Sequence, residues 1–130
     1  MASVRVAVRV RPMNRREKDL TAKGIIKMEG TKTSITNLKI PDGVVGDLMR
    51  ERTKTFTYDF SYDSMDCKSS SFVSQEKVFR DLGCDVLKAA FEGYNACVFA
   101  YGQTSSGKSY TMMGVPLPHD ELLELLLNLH

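Results

Sequence analysis

Residues 102–109 read Gly102-Gln103-Thr104-Ser105-Ser106-Gly107-Lys108-Ser109, and this octet constrains the fold more than any other part of the chain. It meets G-x-x-x-x-G-K-[ST] at every fixed position. The spacing has a chemical reason. Glycines let the backbone curl until successive N–H groups point inward at a phosphate, and a following helix adds the partial positive charge of its N-terminus. Lys108 is then placed to reach the β- and γ-phosphates of ATP, and the Ser109 hydroxyl to ligate magnesium. A loop of this kind follows a strand and opens a helix. Ala96-Cys97-Val98-Phe99-Ala100-Tyr101 is a short apolar run without alternation, the pattern of a strand buried on both faces. A helix is expected to begin at Lys108. The competing reading, a Gly/Ser-rich turn before a helix, does not explain why the match sits directly after such a run.

The rest of the chain fits an α/β class. Val4, Val6, Val8 and Val10 alternate with Ser3, Arg5, Ala7, Arg9 and Arg11 until Pro12 stops the run, which predicts a strand. Weaker strand patterns cover Gly24 to Met28 and Thr33 to Asn37, joined by a turn at Glu29-Gly30-Thr31-Lys32. A second turn is expected at Pro41-Asp42-Gly43. Thr53 to Phe60 alternates with Phe56, Tyr58 and Phe60 on one face, and Ser61 to Ser71 reads as a polar surface loop. Val78, Phe79, Leu82, Val86, Leu87, Ala90 and Phe91 recur at helical spacing, so Ser74 to Glu92 is expected to be an amphipathic helix ending at Gly93. Ser74 suits an N-cap, and Glu76 lies in the first turn, where the helix dipole favours a negative charge. After Pro116 and Pro118, Leu122, Leu125, Leu126 and Leu129 share one helical face, a core stripe in preference to a docking face.

Composition sets limits on function. The 18 basic and 16 acidic residues leave a net charge of +2, which gives no argument for a nucleic-acid or membrane partner. Cys67, Cys84 and Cys97 are odd in number and scattered, without metal-ligand spacing, and read as reduced thiols. His119 and His130 are isolated. The N-terminus lacks the continuous apolar stretch of a secretory signal, and no run reaches the ~18 residues needed to span a bilayer. A soluble, cytoplasmic protein is expected.

Gly93-Tyr94-Asn95 followed by Ala100-Tyr101-Gly102-Gln103-Thr104, Gly107-Lys108-Ser109 and Thr111-Met112 resembles the phosphate-loop region of kinesin motor domains. Val8-Arg9-Val10-Arg11-Pro12 resembles the first strand of that family. Residues 1–17, 55–63 and 81–95 most resemble the kinesin-3 group, and within it an endosome-associated type with a phosphoinositide-binding PX tail. The resemblance implies a partial phosphate-loop NTPase fold, a mixed central sheet with flanking helices, cut off after the phosphate-loop helix. Residues 1–114 would be the N-terminal part of the motor domain and 115–130 a divergent leucine-rich tail. It further implies ATP and Mg2+ as ligands, microtubules (tubulin) as partner of the full-length motor, and a cytoskeletal location.

By the same resemblance Arg9, Arg11, Pro12 and Tyr110 would hold the adenine, Gly102 to Ser109 the phosphates, and Lys108 would act in catalysis. A planar guanidinium and a proline ring suit a flat purine. Without the family, Arg9 and Arg11 read as a solvated strand face. Kinesins also use N-x-x-S-S-R-S-H and D-x-x-G-x-E segments to sense the γ-phosphate, and neither occurs in these 130 residues. The chain by itself is therefore expected to be inactive as an ATPase, and a truncated non-motor product that binds nucleotide weakly or not at all is the alternative. An unrelated nucleotide kinase is disfavoured, because its later acidic and arginine elements are missing too.

Overall fold

The computed structural model describes residues 4–41, 43, 46 and 52–114. The chain divides into two compact units, Met1–Ser74 and Gln75–His130.

Among the described residues, the first unit holds five short strands and the helical turn at Arg15–Asp19. β1 (Ala7–Val10) is the alternating valine run and ends before Pro12, which has no N–H to continue a ladder. It pairs in parallel with β5 (Phe60–Asp63), with Ala7 opposite Phe60 and Val10 opposite Asp63. β2 (Ile26–Glu29), β3 (Lys32–Thr36) and β4 (Thr53–Thr57) form an antiparallel sheet in that order. The β2–β3 turn falls at Gly30-Thr31, where Gly30 takes a φ of +60° without the steric cost a Cβ would bring. Across β3 and β4, the hydroxyls of Ser34 and Thr55 lie 2.8 Å apart, and those of Thr36 and Thr53 3.3 Å apart. Such cross-strand pairs favour this register over a one-residue slip, which would turn every side chain to the other face.

The alternating run expected from Thr53 to Phe60 is two strands in two sheets. The Tyr58 amide still donates to the Thr31 carbonyl at 3.0 Å, but the Phe60 amide donates to Val6. Between them, the Asp59 carboxylate accepts the Val6 amide at 2.8 Å. The run expected as a loop from Ser61 therefore begins as strand, because β5 is templated by β1 and not by its own polar composition. Its inner face carries Tyr62, which is buried with Val73. Two buried hydroxyls are satisfied. Thr33 donates to Ser61 at 2.8 Å, and Ser64 donates to the Val73 carbonyl at 2.6 Å.

α1 (Arg15–Asp19) has no counterpart in the periodicity of the sequence. A capping box makes it: the Asn14 side chain accepts the Glu17 amide at 2.8 Å, and the Glu17 carboxylate accepts the Asn14 amide at 3.0 Å.

In the second unit, helical structure runs through α2 (Gln75–Val78), a π-helical stretch (Phe79–Gly83) and α3 (Cys84–Phe91). This is the helix expected from Ser74 to Glu92, with Glu76 in its first turn and its end at Gly93, φ +87°. The π stretch is the departure from the expectation. It lies where Gly83 meets the Phe79 ring, and a Cβ at Gly83 would stand 3.3 Å from Cγ of Phe79 and closer still to its ring edge.

Residues 96–101 do not form the buried strand that their composition predicts. No strand is assigned there, and Tyr94, Phe99 and Tyr101 are exposed, Tyr101 fully so. A strand buried on both faces needs ladders along its edges and helices over its faces. The described residues supply neither. α4 (Lys108–Met113) begins at the lysine, as expected.

The turn at Pro41-Asp42-Gly43 includes a residue outside those described, and the leucine-rich helix expected after Pro118 lies wholly outside them. Among the described residues no helix is long and apolar enough to cross a membrane. Cys67, Cys84 and Cys97 are exposed free thiols.

Candidate phosphate-binding site

The loop from Gly102 to Gly107 is folded back on itself. The Ser106 amide donates to the Gln103 carbonyl at 3.1 Å, Ser105 adopts a left-handed φ of +67°, and Gly107 at φ +101° is the N-cap of α4. Glycine at 107 is the inexpensive way to hold such a backbone. At 102 the reason is space. A Cβ there would lie 3.2 Å from Cβ of Ser106, nearer still to its hydroxyl, and 3.7 Å from Cγ of Lys108.

Lys108 reaches back over the loop it follows. Its ammonium donates to the Gly102 carbonyl and, at 3.3 Å, to the Gln103 carbonyl. The Lys108 cation is thereby held against the loop by backbone acceptors. Ser109 follows in the first turn of α4, and Tyr110, half exposed, comes next.

Two observations test whether the residues fit a nucleotide phosphate. The Ser106 Oγ is buried and has no hydrogen-bond partner, so this part of the loop carries a donor in want of an acceptor. The ionisable and hydroxyl groups of the octet, from Thr104, Ser105, Ser106, Lys108 and Ser109, include no carboxylate. Such a donor set suits an anion. Among the described residues no group of three His, Cys, Asp or Glu side chains could hold a metal. A divalent ion here would be ligated by the Ser109 hydroxyl with oxygens from phosphate and water, the manner in which Mg2+ is held. The residues fit both groups.

The arginines singled out in the sequence belong to the first unit and are engaged there. Arg9 Nε donates to the buried Ser64 hydroxyl at 2.9 Å, which fixes its stem along β1. Arg11 forms a fork with Glu17, at 2.9 Å from Nη1 to Oε2 and 2.5 Å from Nη2 to Oε1, and also donates to the Pro12 carbonyl at 2.8 Å. This contact raises the Arg11 pKa. The Arg11 hydrogen bond, with help from the Asn14 amide, holds the Glu17 carboxyl down at about 2. Ser64 and Glu17 were not anticipated as partners. Glu17 was legible, since Asn14-x-x-Glu17 is a capping-box signature, whereas nothing local in the sequence links Ser64 to Arg9.

A glycine-bracketed loop with its own lysine folded back over it, that lysine opening a helix, is the arrangement of the phosphate-loop class of protein. The kinesin motor domain model matches residues 9–125. Kinesin-like protein KIF16B of Homo sapiens, a kinesin-3 member, is 77% identical over 114 residues, covering 88% of this chain and 9% of that protein. Kinesin-like protein Klp98A of Drosophila melanogaster is 51% identical over 116 residues, covering 89% and 9%. Among solved structures, KIF14 with ADP in complex with a microtubule superimposes with a TM-score of 0.74 at 41% identity, over 87% of this chain and 28% of that one. This chain belongs to the kinesin motor-domain family, as the phosphate-loop and first-strand signatures implied. It spans about 9% of the length of the curated relatives it matches.

Proposed function

We propose that this chain is the ATP-binding N-terminal portion of a microtubule-based kinesin motor, in which ATP hydrolysis by the full-length protein drives movement along microtubules. The observation that carries the reading is the loop of Gly102 to Gly107 folded under the Lys108 ammonium, with the Ser106 hydroxyl buried and unpaired. In this reading, backbone N–H groups of the loop other than that of Ser106, which donates to Gln103, join the Lys108 ammonium in holding the β- and γ-phosphates, and Lys108 offsets charge that develops during phosphoryl transfer. Ser109 supplies one oxygen to Mg2+. An ion held there would supply positive charge against the phosphates.

Arg9, Arg11, Pro12 and Tyr110 are the proposed adenine contacts. The full-length protein is proposed to act in the cytoplasm on the cytoskeleton, with an endosomal association by its likeness to the PX-bearing kinesin-3 type. Residues 1–114 are the proposed motor-domain portion and 115–130 a divergent tail. Because N-x-x-S-S-R-S-H and D-x-x-G-x-E do not occur in the 130 residues, the chain by itself is proposed to bind ATP without turning it over or moving.

Titration of the 130-residue chain with ATP tests the reading. Binding is expected in the presence of magnesium, to weaken when magnesium is chelated, and to fall at least about tenfold in Lys108→Ala, the loss of a charge-assisted contact. A folded sample that binds no ATP overturns the proposal.

A further inference from the structure

α4 presents a mechanical problem. It is 6 residues long, buries none of them and has no side-chain cap at its N-terminus. Packing of an apolar face therefore does little to fix its direction, although Lys108 and Ser109 sit in its first turn and depend on that direction. Its last carbonyls also need donors from beyond the helix.

The Gln75 side chain meets that need. Gln75 opens α2, and its Nε2 donates to the Thr111 carbonyl at 2.9 Å in a half-buried contact that spans 36 residues of sequence. The same side chain lies across the end of α4. A Cβ at Gly114 would be 3.7 Å from Nε2 and 3.8 Å from Cγ of Gln75, an ordinary contact distance. The Gly114 amide in turn donates to the Tyr110 carbonyl at 2.7 Å. From Thr111 the path to the phosphate loop is one step, since the Thr111 amide donates to the Gly107 carbonyl at 3.0 Å. Gly107 is the left-handed residue on which the loop becomes helix.

We infer that Gln75 is a positioning residue for nucleotide binding: by holding the Thr111 carbonyl it sets the direction of the phosphate-loop helix and so the placement of Lys108 and Ser109. This rests on the reading of Gly102 to Ser109 as an ATP phosphate site. Gln75 itself touches no phosphate. Its amide acts as a donor of fixed reach, and charge plays no part.

The test uses the 130-residue chain and ATP with magnesium. Gln75→Glu and Gln75→Met keep the length of the side chain and remove the donor, the second without adding charge. Gln75→Lys restores a donor of similar reach. Loss of one hydrogen bond that positions a cationic contact is expected to weaken ATP binding by about tenfold in the first two variants. Amide hydrogen exchange across 108–113 should accelerate, while the circular dichroism melt stays unchanged. Gln75→Lys should recover both the affinity and the slow exchange. Unchanged affinity or unchanged exchange in Gln75→Met overturns the inference, and so does failure of Gln75→Lys to restore them. Unfolding of both donor-less variants also overturns it, by giving Gln75 a general structural role. If ATP binding disappears in Lys108→Ala but is untouched by the Gln75 substitutions, the positioning role alone falls. If the unaltered chain binds no ATP, the phosphate-site reading falls and takes this inference with it.

Discussion

Single atoms decide much at the phosphate loop. Glycine at 102 is required because Ser106 and Lys108 fold over it, so Gly102→Ala must push the Ser106 side chain or the loop backbone aside. As the loop lies on the surface, the cost should fall on function and not on folding. Gly102→Ala is expected to weaken ATP binding by more than about tenfold with a melting temperature close to that of the unaltered chain, as followed by titration and circular dichroism. Ser106 gives the opposite case. Its buried hydroxyl has no partner among the described residues, and such a group costs about 1–3 kcal/mol. Ser106→Ala should therefore raise the unfolding free energy of the nucleotide-free chain by about 1 kcal/mol in urea titration, part of the penalty being offset by lost packing. The Glu17 carboxyl is a third residue-scale probe. With its folded pKa lowered to about 2 from an ordinary 4.5, its contribution to stability is fully present above about pH 4.5. It is lost as the pH falls through about 2. NMR titration of the Glu17 side chain should show this low midpoint in the native chain and a return towards the ordinary value in Arg11→Gln.

Elements were legible in the sequence to the extent that their cause was local. The alternation of Val8 and Val10, the turn at Gly30 and the apolar spacing from Val78 to Phe91 each carry their own signal, and each produced the expected element. α1 also has a local cause in Asn14 and Glu17, but it is too short to show a period. Elements with a distant cause were misjudged. β5 exists because Phe60 and Tyr62 lie beside β1, more than fifty residues away, and a polar composition does not reveal that partner. Residues 96–101 fail in the opposite direction, with the composition of a central strand and no ladder among the described residues. The folded-back loop at 102–107 and the helix start at Lys108 were legible for the first reason, the octet acting on its own backbone. The Gln75 contact was not, since glutamine at a helix start has no special meaning without Thr111 beside it.

The π-helical stretch yields a prediction at the same scale. Alanine in place of Gly83 should gain about 1 kcal/mol in helix propensity. The Phe79 ring occupies the space the new Cβ requires, so the ring must swing outward and give up its packing. That movement is cheap enough to be possible because Phe79 is already half exposed. The two effects should nearly cancel in Gly83→Ala. In a Phe79→Ala background the clash is gone, and the same substitution should stabilise by about 1 kcal/mol. A double-mutant cycle in urea measures the difference directly.

At the scale of the whole molecule, the balance of buried and exposed apolar surface is unusual for a chain of this length. Among the described residues only Tyr62, Val73 and Val78 are buried hydrophobics, whereas Phe91, Phe99, Tyr101 and Met113 are each more than 80% exposed. Among the described residues, 95–101 have no strand partner, so exposed aromatic surface and an unladdered backbone coincide. That combination favours pairing with another chain. In the KIF14 structure the matched portion is 28% of the chain. By themselves the 130 residues are expected to associate as concentration rises, through 94–101 and not through the first unit. Sedimentation velocity over a hundredfold range of concentration should show the shift, and Phe99→Lys with Tyr101→Lys should suppress it by placing charge on the edge. Neither substitution touches the loop of Gly102 to Ser109, so ATP affinity in the double variant should equal that of the unaltered chain at low concentration. Association that persists undiminished in the double variant would locate the adhesive surface elsewhere. A monomer at every concentration would mean that the aromatic run is covered from within the chain.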